Sequence, residues 1–470
     1  MDRYKIIVLP DNIEIIAEEN TSLKKVFEDN GVNFEFPCGG TGKCKKCGIK
    51  IIKKTGKEEA LACRLRVKED ITVEIPSKPS IHNIFVEGVQ RKVDLNPLIK
   101  KSYLEVPLPS LDDNRDDFDR ISMGKRFGTN FKVLLNLPEK LRKDNFKTTV
   151  IISGDEIIGV ESGNTCNRLL GMAFDIGTTT IAGYLINLET GQEITQVSDL
   201  NPQIKYGADV ISRIIFAAES EEGLEKLHKE LIDKLNDLIE EAVGAAGYCE
   251  SDVYALTIAG NTAMNHLFLG IQPRYLAGAP YVPVVTRPLM ADAGDLGIKI
   301  NPVGKIYTFP NIAGFVGGDT VSAALISQMD KADKLKLLID IGTNGEMVLG
   351  TKMELLACSV AAGPAFEGGQ ISCGMRGAAG AIDHVSMGEE YKYSVIGNTT
   401  PQGIAGSGLV DAVAWLVEIG IIDKTGRILN REEIKNEQGI RYAERIININ
   451  GIVSFLLAEN TTTEKPVYIS

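Results

Sequence analysis

Histidine is nearly absent from this chain: four residues in 470, at positions 82, 228, 266 and 384, with no serine or cysteine at catalytic spacing. A Ser-His-Asp or Cys-His hydrolase therefore has no support, because each needs a histidine base held beside its nucleophile. His228 falls on a helix striped by Leu224, Leu227, Leu231, Leu235 and Leu238 and reads as a surface residue. Long apolar runs are missing too. The longest, around Ala412–Val417, is far short of the roughly 20 residues a helix needs to cross a bilayer, so no membrane partner is expected. The opening Met1-Asp2-Arg3-Tyr4 starts a strand and not a charged, apolar leader, which points to a cytoplasmic protein and disfavours disulfides. Positive charge is in deficit. With 51 basic and 63 acidic residues the net charge is −12, which argues against a nucleic-acid partner.

Cysteine is present in a pattern. Of eight cysteines, Cys38, Cys44 and Cys47 follow a C-x5-C-x2-C spacing and Cys63 comes after a short arm. Three close thiolates can share an inorganic cluster only if the backbone wraps around it, and the glycines at 39, 40, 42 and 48 allow that turn. The pattern points to a [2Fe-2S] cage. It is one residue longer than the plant-type C-x4-C-x2-C run. A zinc site of four cysteines remains the alternative, although its usual paired knuckles are not seen. Cys166, Cys249, Cys358 and Cys373 lack ligand spacing and read as small buried hydrophobes.

The flanks suit such a loop. Ile6–Val8 and Ile13–Ile16 straddle Pro10-Asp11-Asn12 as a hairpin, Ser22 caps a helix carrying Leu23 and Val26, and strands follow near 48–53 and 71–75. This is similar to the β-grasp fold of [2Fe-2S] ferredoxins over residues 1–78. Residues 1–80 carry a net +2, leaving −14 on the rest. Lys43, Lys45, Lys46, Lys50, Arg64 and Arg66 form either a solvated rim or a docking face for an acidic surface. Residues 79–165 read as a linker and small middle domain, with a polar loop at 107–120 and strands at 132–135 and 149–152.

The remainder is an internal duplication. Asp175-Ile176-Gly177-Thr178-Thr179-Thr180 recurs 165 residues later as Asp340-Ile341-Gly342-Thr343-Asn344-Gly345-Glu346. In each copy an apolar strand enters the motif, a second leaves it, and a third follows near 193–198 or 353–358. Backbone N–H groups of such turns, with hydroxyls of Thr178, Thr179 and Thr343, suit phosphates, and the aspartates can hold Mg2+ through its waters. One copy alone would read as an ordinary hairpin turn. Gly317-Gly318-Asp319 opens a helix between the halves, where Asp319 either positions water or merely caps the helix.

The twin motifs resemble the phosphate loops of the superfamily of actin, hexokinase, acetate kinase and the heat-shock chaperones. Together with the cysteine loop, the chain resembles the ATP-dependent reductive activators of corrinoid proteins. The segments Asn201–Gln203 with Tyr206–Ile214, Gly260–Met264, Ala361–Gly368 and Gly403–Asp411 carry that likeness along nearly the whole chain. The resemblance implies an α+β ferredoxin domain (1–78), a middle domain (79–165) and a duplicated α/β actin-like ATPase of two lobes (166–330 and 331–470).

It also implies that Cys38, Cys44, Cys47 and Cys63 hold the cluster. Asp175, Asp319 and Asp340 would do the chemistry on Mg-ATP, and Gly177, Thr178, Thr179, Thr180, Gly342, Thr343, Asn344, Gly406, Ser407 and Gly408 would bind it. The implied reaction is ATP-dependent return of a corrinoid protein of a methyltransferase system from Co(II) to Co(I). An upstream low-potential electron donor and a homodimer belong to the same expectation. Family members continue past the position of Ser470, so the second lobe is expected to be truncated and adenine contacts weakened. The alternatives are an electron-transfer or docking protein with a vestigial ATPase, or a redox-sensing small-molecule kinase.

Overall fold

The computed structural model describes residues 3–10, 12–32, 34, 36, 47–53, 56–75, 94–342, 344–361, 371–375, 377–387, 391–459 and 466–470. Cys38, Cys44, Thr343 and most of the Ala361–Gly368 segment lie outside them.

The N-terminal unit is a five-stranded mixed sheet in the order Ile13–Glu18, Arg3–Leu9, Ile71–Glu74, Gly48–Lys53, Gly56–Leu61. Arg3–Leu9 pairs antiparallel with the hairpin partner and parallel with Ile71–Glu74, the arrangement of a β-grasp. Alternation of buried Ile6 and Val8 with half-buried neighbours sends one face inward, where the helix Leu23–Asp29 lays Leu23, Val26 and Phe27 on it. Ser22 Oγ accepts the Lys25 amide, the cap expected of it. Phe27, Phe34 and Phe36 meet at centroid distances of 5.3–6.5 Å and close that core near the cysteine loop.

The middle domain corrects one expectation. Residues 132–135 are not a strand: they lie in the helix Phe131–Lys143, capped by Asn130, whose Val133, Leu137 and Leu141 recur every fourth position and are buried. The three apolar residues in a row misled because Leu134 and Leu135 point to solvent, and only the period-four set is core. The 107–120 stretch likewise contains the start of a short helix, Asp117–Ser122, capped by Asp116. Helix Phe131–Lys143 packs on a four-stranded sheet of Ile99–Glu105, Lys147–Ser153, Glu156–Ser162 and Gly128–Thr129. Lys101 ties this domain to the next: its Nζ donates to Glu161 Oε2 at 2.8 Å and lies 4.3 Å over the Tyr254 ring, while the Tyr254 hydroxyl donates to Glu161 Oε1.

The first large lobe is a six-stranded sheet. Glu193–Leu200, Thr180–Asn187 and Leu170–Ile176 run antiparallel, and Val253–Gly260 and Lys305–Thr308 add in parallel, with Leu289–Asp292 at the edge. Leu170–Ile176 is central and apolar at nearly every position, as a strand covered on both faces must be. Helix Glu221–Ala245 covers one face through Leu227, Leu231, Leu235 and Leu238. His228 on that helix is half-buried at the surface, with Nδ1 3.1 Å from the Leu267 carbonyl oxygen.

The second lobe repeats the antiparallel triplet as Lys336–Ile341, Asn344–Thr351 and Glu354–Ala361. Among the described residues these strands form a sheet of their own, beside two further three-stranded sheets and the helix Gly406–Glu418. Their apolar side chains are less covered than in the first lobe, and Leu337, Ile339 and Ile341 remain exposed. The extra cysteines differ from expectation as well. Cys249 and Cys358 are exposed and Cys166 and Cys373 half-buried, with Cys373 alone of these packed against a hydrophobic core among the described residues.

Candidate functional site

The two motif turns face each other. Asp175, Gly177, Thr178, Thr179, Thr180 and Asn261 from the first lobe meet Asp340, Gly342, Asn344 and Glu346 from the second, with Asp319 between, around a pocket of about 260 Å3. Duplication of the entering strand accounts for this: each aspartate occupies the penultimate position of its strand, just before the chain doubles back.

The first loop is held from below by side chains absent from the expected site. Asn201 Nδ2 donates to the Gly177 carbonyl oxygen at 2.8 Å, and its backbone amide donates to the Thr179 carbonyl oxygen at 2.9 Å. Arg213 is fully buried; its guanidinium donates to the carbonyl oxygens of Thr178 and of Gly207, the latter at 2.9 Å. Asn261 Nδ2 donates to Thr178 Oγ1 at 3.1 Å. Committing these carbonyls backwards leaves the loop N–H groups and hydroxyls to face the cleft. Asn201, Arg213 and Asn261 all stood in segments that marked the family resemblance, but no spacing rule gave them a role.

The pocket is acidic. Desolvation by the cleft walls pushes the Asp175 carboxyl up to about 6, although Asp175 and Asp340 both keep surface exposure, with Asp319 and Asp340 adding to the rise. Burial raises Asp319 and Asp340 in the same direction. Asp319 sits in the first turn of helix Gly318–Ile326, and Gly317, not Asp319, is the cap. The Thr320 amide donates to Asp319 Oδ1 at 2.7 Å. Glu346 was not among the expected site residues. It is 9% exposed, stands directly opposite Asp340 across the strand pair, and accepts a hydrogen bond from Ser359 Oγ at 3.0 Å. Burial pushes it up to about 7, with Asp319 and Asp340 again contributing. Carboxylates that crowd and desolvate one another in this way are relieved by a cation.

Gly406, Ser407 and Gly408 are elsewhere. They start helix Gly406–Glu418 beside the strand Ala381–Met387 and are not among the pocket-lining residues. A Cβ on Gly408 would come within 2.4 Å of the Ile382 carbonyl oxygen, so close helix-strand packing accounts for that glycine. Ser407 Oγ donates to the Asp383 carbonyl oxygen at 2.6 Å.

At the N-terminal unit, Cys47 and Cys63 Sγ atoms lie 3.1 Å apart. Cys47 is 1% exposed, and its carbonyl oxygen accepts the Ala62 amide at 2.8 Å, which brings the Cys63 arm back to the loop. The separation exceeds the roughly 2.05 Å of a disulfide, and two soft thiols converging at one point fit a shared iron centre. Among the described residues no three His, Cys, Asp or Glu side chains are placed to hold a metal ion directly.

A ferredoxin-type domain joined to two lobes that close on a phosphate-sized acidic cleft defines an iron-sulfur protein built on the ASKHA nucleotide-binding fold. Comparison with known families agrees along the chain. Residues 6–68 match a 2Fe-2S iron-sulfur cluster binding domain, 88–167 the RACo linker region, 170–332 the RACo middle region, and 334–470 the C-terminal domain of RACo, the ASKHA domain.

The corrinoid activation enzyme RamQ of Eubacterium limosum is 33% identical over 438 residues, covering 91% of this chain and 74% of that protein. The [Co(II) methylated amine-specific corrinoid protein] reductase of Methanosarcina barkeri is 25% identical, covering 60% and 57%. A solved structure described as a reductive activator for corrinoid, iron-sulfur protein superposes with a TM-score of 0.71 at 36% identity, covering 99% of this chain and 80% of that one. The chain belongs to the family of reductive activators of corrinoid proteins.

Proposed function

We propose that this protein is an ATP-dependent activator that passes one electron to the Co(II) centre of a corrinoid protein, returning it to Co(I) for methyl transfer. The carrying observation is the pairing, in one chain, of converging thiols with a cleft walled by two copies of one phosphate loop.

Cys38, Cys44, Cys47 and Cys63 would hold the [2Fe-2S] cluster, which supplies one-electron transfer when bound. Gly177 to Thr180 and Gly342 to Asn344 would cradle the phosphates of ATP through backbone N–H groups and threonine hydroxyls. Asp175 and Asp340 would hold Mg2+ through its waters, and Asp319, at the helix start between the lobes, would complete that shell. The carboxylates would be released from their mutual repulsion only when the cation arrives, so nucleotide and metal bind together.

Energy explains why ATP is needed. Plant-type clusters sit near roughly −400 mV, and each further 59 mV uphill costs about 1.4 kcal/mol for one electron. An acceptor a few hundred millivolts lower is out of reach unless some state changes. Closure of the lobes on nucleotide would favour the complex in which the corrinoid accepts the electron. The basic rim of Lys50, Arg64 and Arg66 beside the cluster offers a docking face for an acidic partner surface.

The test is a spectroscopic titration of a Co(II) corrinoid protein with the reduced chain, with and without Mg-ATP. Conversion to Co(I) that requires Mg-ATP supports the reading, and equal conversion in both defeats the coupling.

A further inference from the structure

The two copies of the phosphate loop are not equivalent at one place. Opposite Asp175 in the first strand pair stands Ala182; opposite Asp340 in the second stands Glu346. The fold alone asks for no carboxylate there, and the first lobe manages with a methyl group. Glu346 nevertheless occupies a position only 9% exposed, where an unneeded charge would be costly. Departures from what packing asks are expected where function requires them.

Its surroundings hold it in one orientation. Ser359, on the third strand, is its cross-strand neighbour, and the serine hydroxyl donates to Oε1 at 3.0 Å. Asp340, Glu346 and Ser359 thus form one row across three strands, and Glu346 lines the pocket on the second-lobe wall. Asp319, by contrast, belongs to the helix start: its Oδ1 takes the Thr320 amide at 2.7 Å and the Thr320 hydroxyl at 3.4 Å. Scaffold strands hold a reacting group more precisely than loops do.

We propose that Glu346 is a catalytic residue of ATP hydrolysis, receiving the attacking water's proton, with Ser359 as its positioning residue. This rests on the Mg-ATP reading of the cleft. The water oxygen bonds to the terminal phosphorus as the bond from that phosphorus to the bridging oxygen breaks. ADP leaves with the bonding electron pair, and the proton passes to Glu346 and on to the cleft solvent. Asp319 keeps its place at the helix start and in the metal's water shell.

The experiment compares E346Q, D319N, S359A and S359T with the unaltered full chain, cluster loaded, for Mg-ATP hydrolysis and for binding of a non-hydrolysable ATP analogue. E346Q is expected to lower the turnover rate by roughly 100-fold or more while analogue affinity changes less than about threefold. S359A should lower turnover about tenfold and S359T should restore most of it, a pattern that loss of packing alone would not give. E346Q turnover within about threefold of the unaltered chain overturns the proposal. So does loss of analogue binding in step with turnover. Should E346Q fail to fold, the S359A and S359T pair decides: equal rates in both overturn the proposal. An unaltered chain that binds no analogue overturns the ATP reading itself, an outcome distinct from the others.

Discussion

Asn261 serves two elements with one amide: Nδ2 donates to Thr178 Oγ1 at 3.1 Å, and Oδ1 accepts the Met264 amide at 3.0 Å, capping helix Thr262–Phe268. The phosphate loop and the helix behind it are therefore set by the same side chain. N261D keeps the cap, since Asp and Asn cap equally well, but removes the donor to Thr178 and adds a negative charge to an acidic cleft. Stability should stay within about 0.5 kcal/mol while Mg-ATP affinity falls about tenfold, equivalent to ~1.4 kcal/mol. Thermal denaturation and calorimetric titration check the two halves separately.

The cleft carboxyls make a signed prediction about pH. Asp175 is pushed up to about 6 and Glu346 up to about 7, chiefly by burial. Unfolded, both titrate near 4, so between those values the folded chain holds more protons and stability falls as pH rises. Their stabilising contribution is complete below about 4 and lost above about 7. Without Mg2+, the melting midpoint of the unaltered chain should therefore fall relative to that of D175N/E346Q from pH 5 to pH 8. A constant difference contradicts the account. On the proposed mode of binding, Mg-ATP would need the ionised carboxylates and should raise the unaltered chain's midpoint more at pH 8 than at pH 5.

Gly317 fixes how closely the central helix start approaches the first lobe. A Cβ there would lie 2.5 Å from Asn261 Cα and 2.6 Å from the Gly260 carbonyl oxygen, against backbone that cannot move aside. G317A should cost about 1–3 kcal/mol and weaken Mg-ATP binding, because the helix start carrying Asp319 is displaced from the cleft. Denaturant unfolding and nucleotide titration measure both effects. Unchanged stability would contradict the close crossing.

Cys47 and Cys63, whose Sγ atoms converge, are two of the four proposed cluster ligands. C47S or C63S should leave anaerobically purified protein with little iron and without its visible absorption. Zinc in the unaltered protein in place of iron would contradict the cluster assignment.

Much of this was legible beforehand, and the reasons are physical. The twin Asp-x-Gly-Thr turns, which line one pocket, were readable because a tight turn of that kind requires particular residues at short range. Asn201, Arg213 and Asn261 could be quoted but not interpreted, because their bonds to the loop span 24, 35 and 83 residues. Glu346 stood in the motif itself. Only the pairing register, which sets it opposite Asp340 where the first copy has Ala182 opposite Asp175, marks it as a departure that the fold does not require. Val133-Leu134-Leu135 failed for the opposite reason. A short apolar run fits strand or helix equally, and the deciding signal was the Asn130 cap with Leu137 and Leu141 further on. Gly406-Ser407-Gly408 resembled a ligand-binding turn, and the close approach of Gly408 to Ile382 is a matter of packing.

The most direct measurement is anaerobic stopped-flow absorbance of the reduced protein mixed with a Co(II) corrinoid protein, comparing the unaltered chain with D175N/D340N at saturating ATP. The account predicts rapid Co(I) formation coupled to cluster oxidation in the unaltered chain alone, and none in the variant although its cluster is fully reduced. Equal Co(I) formation by both proteins would contradict it.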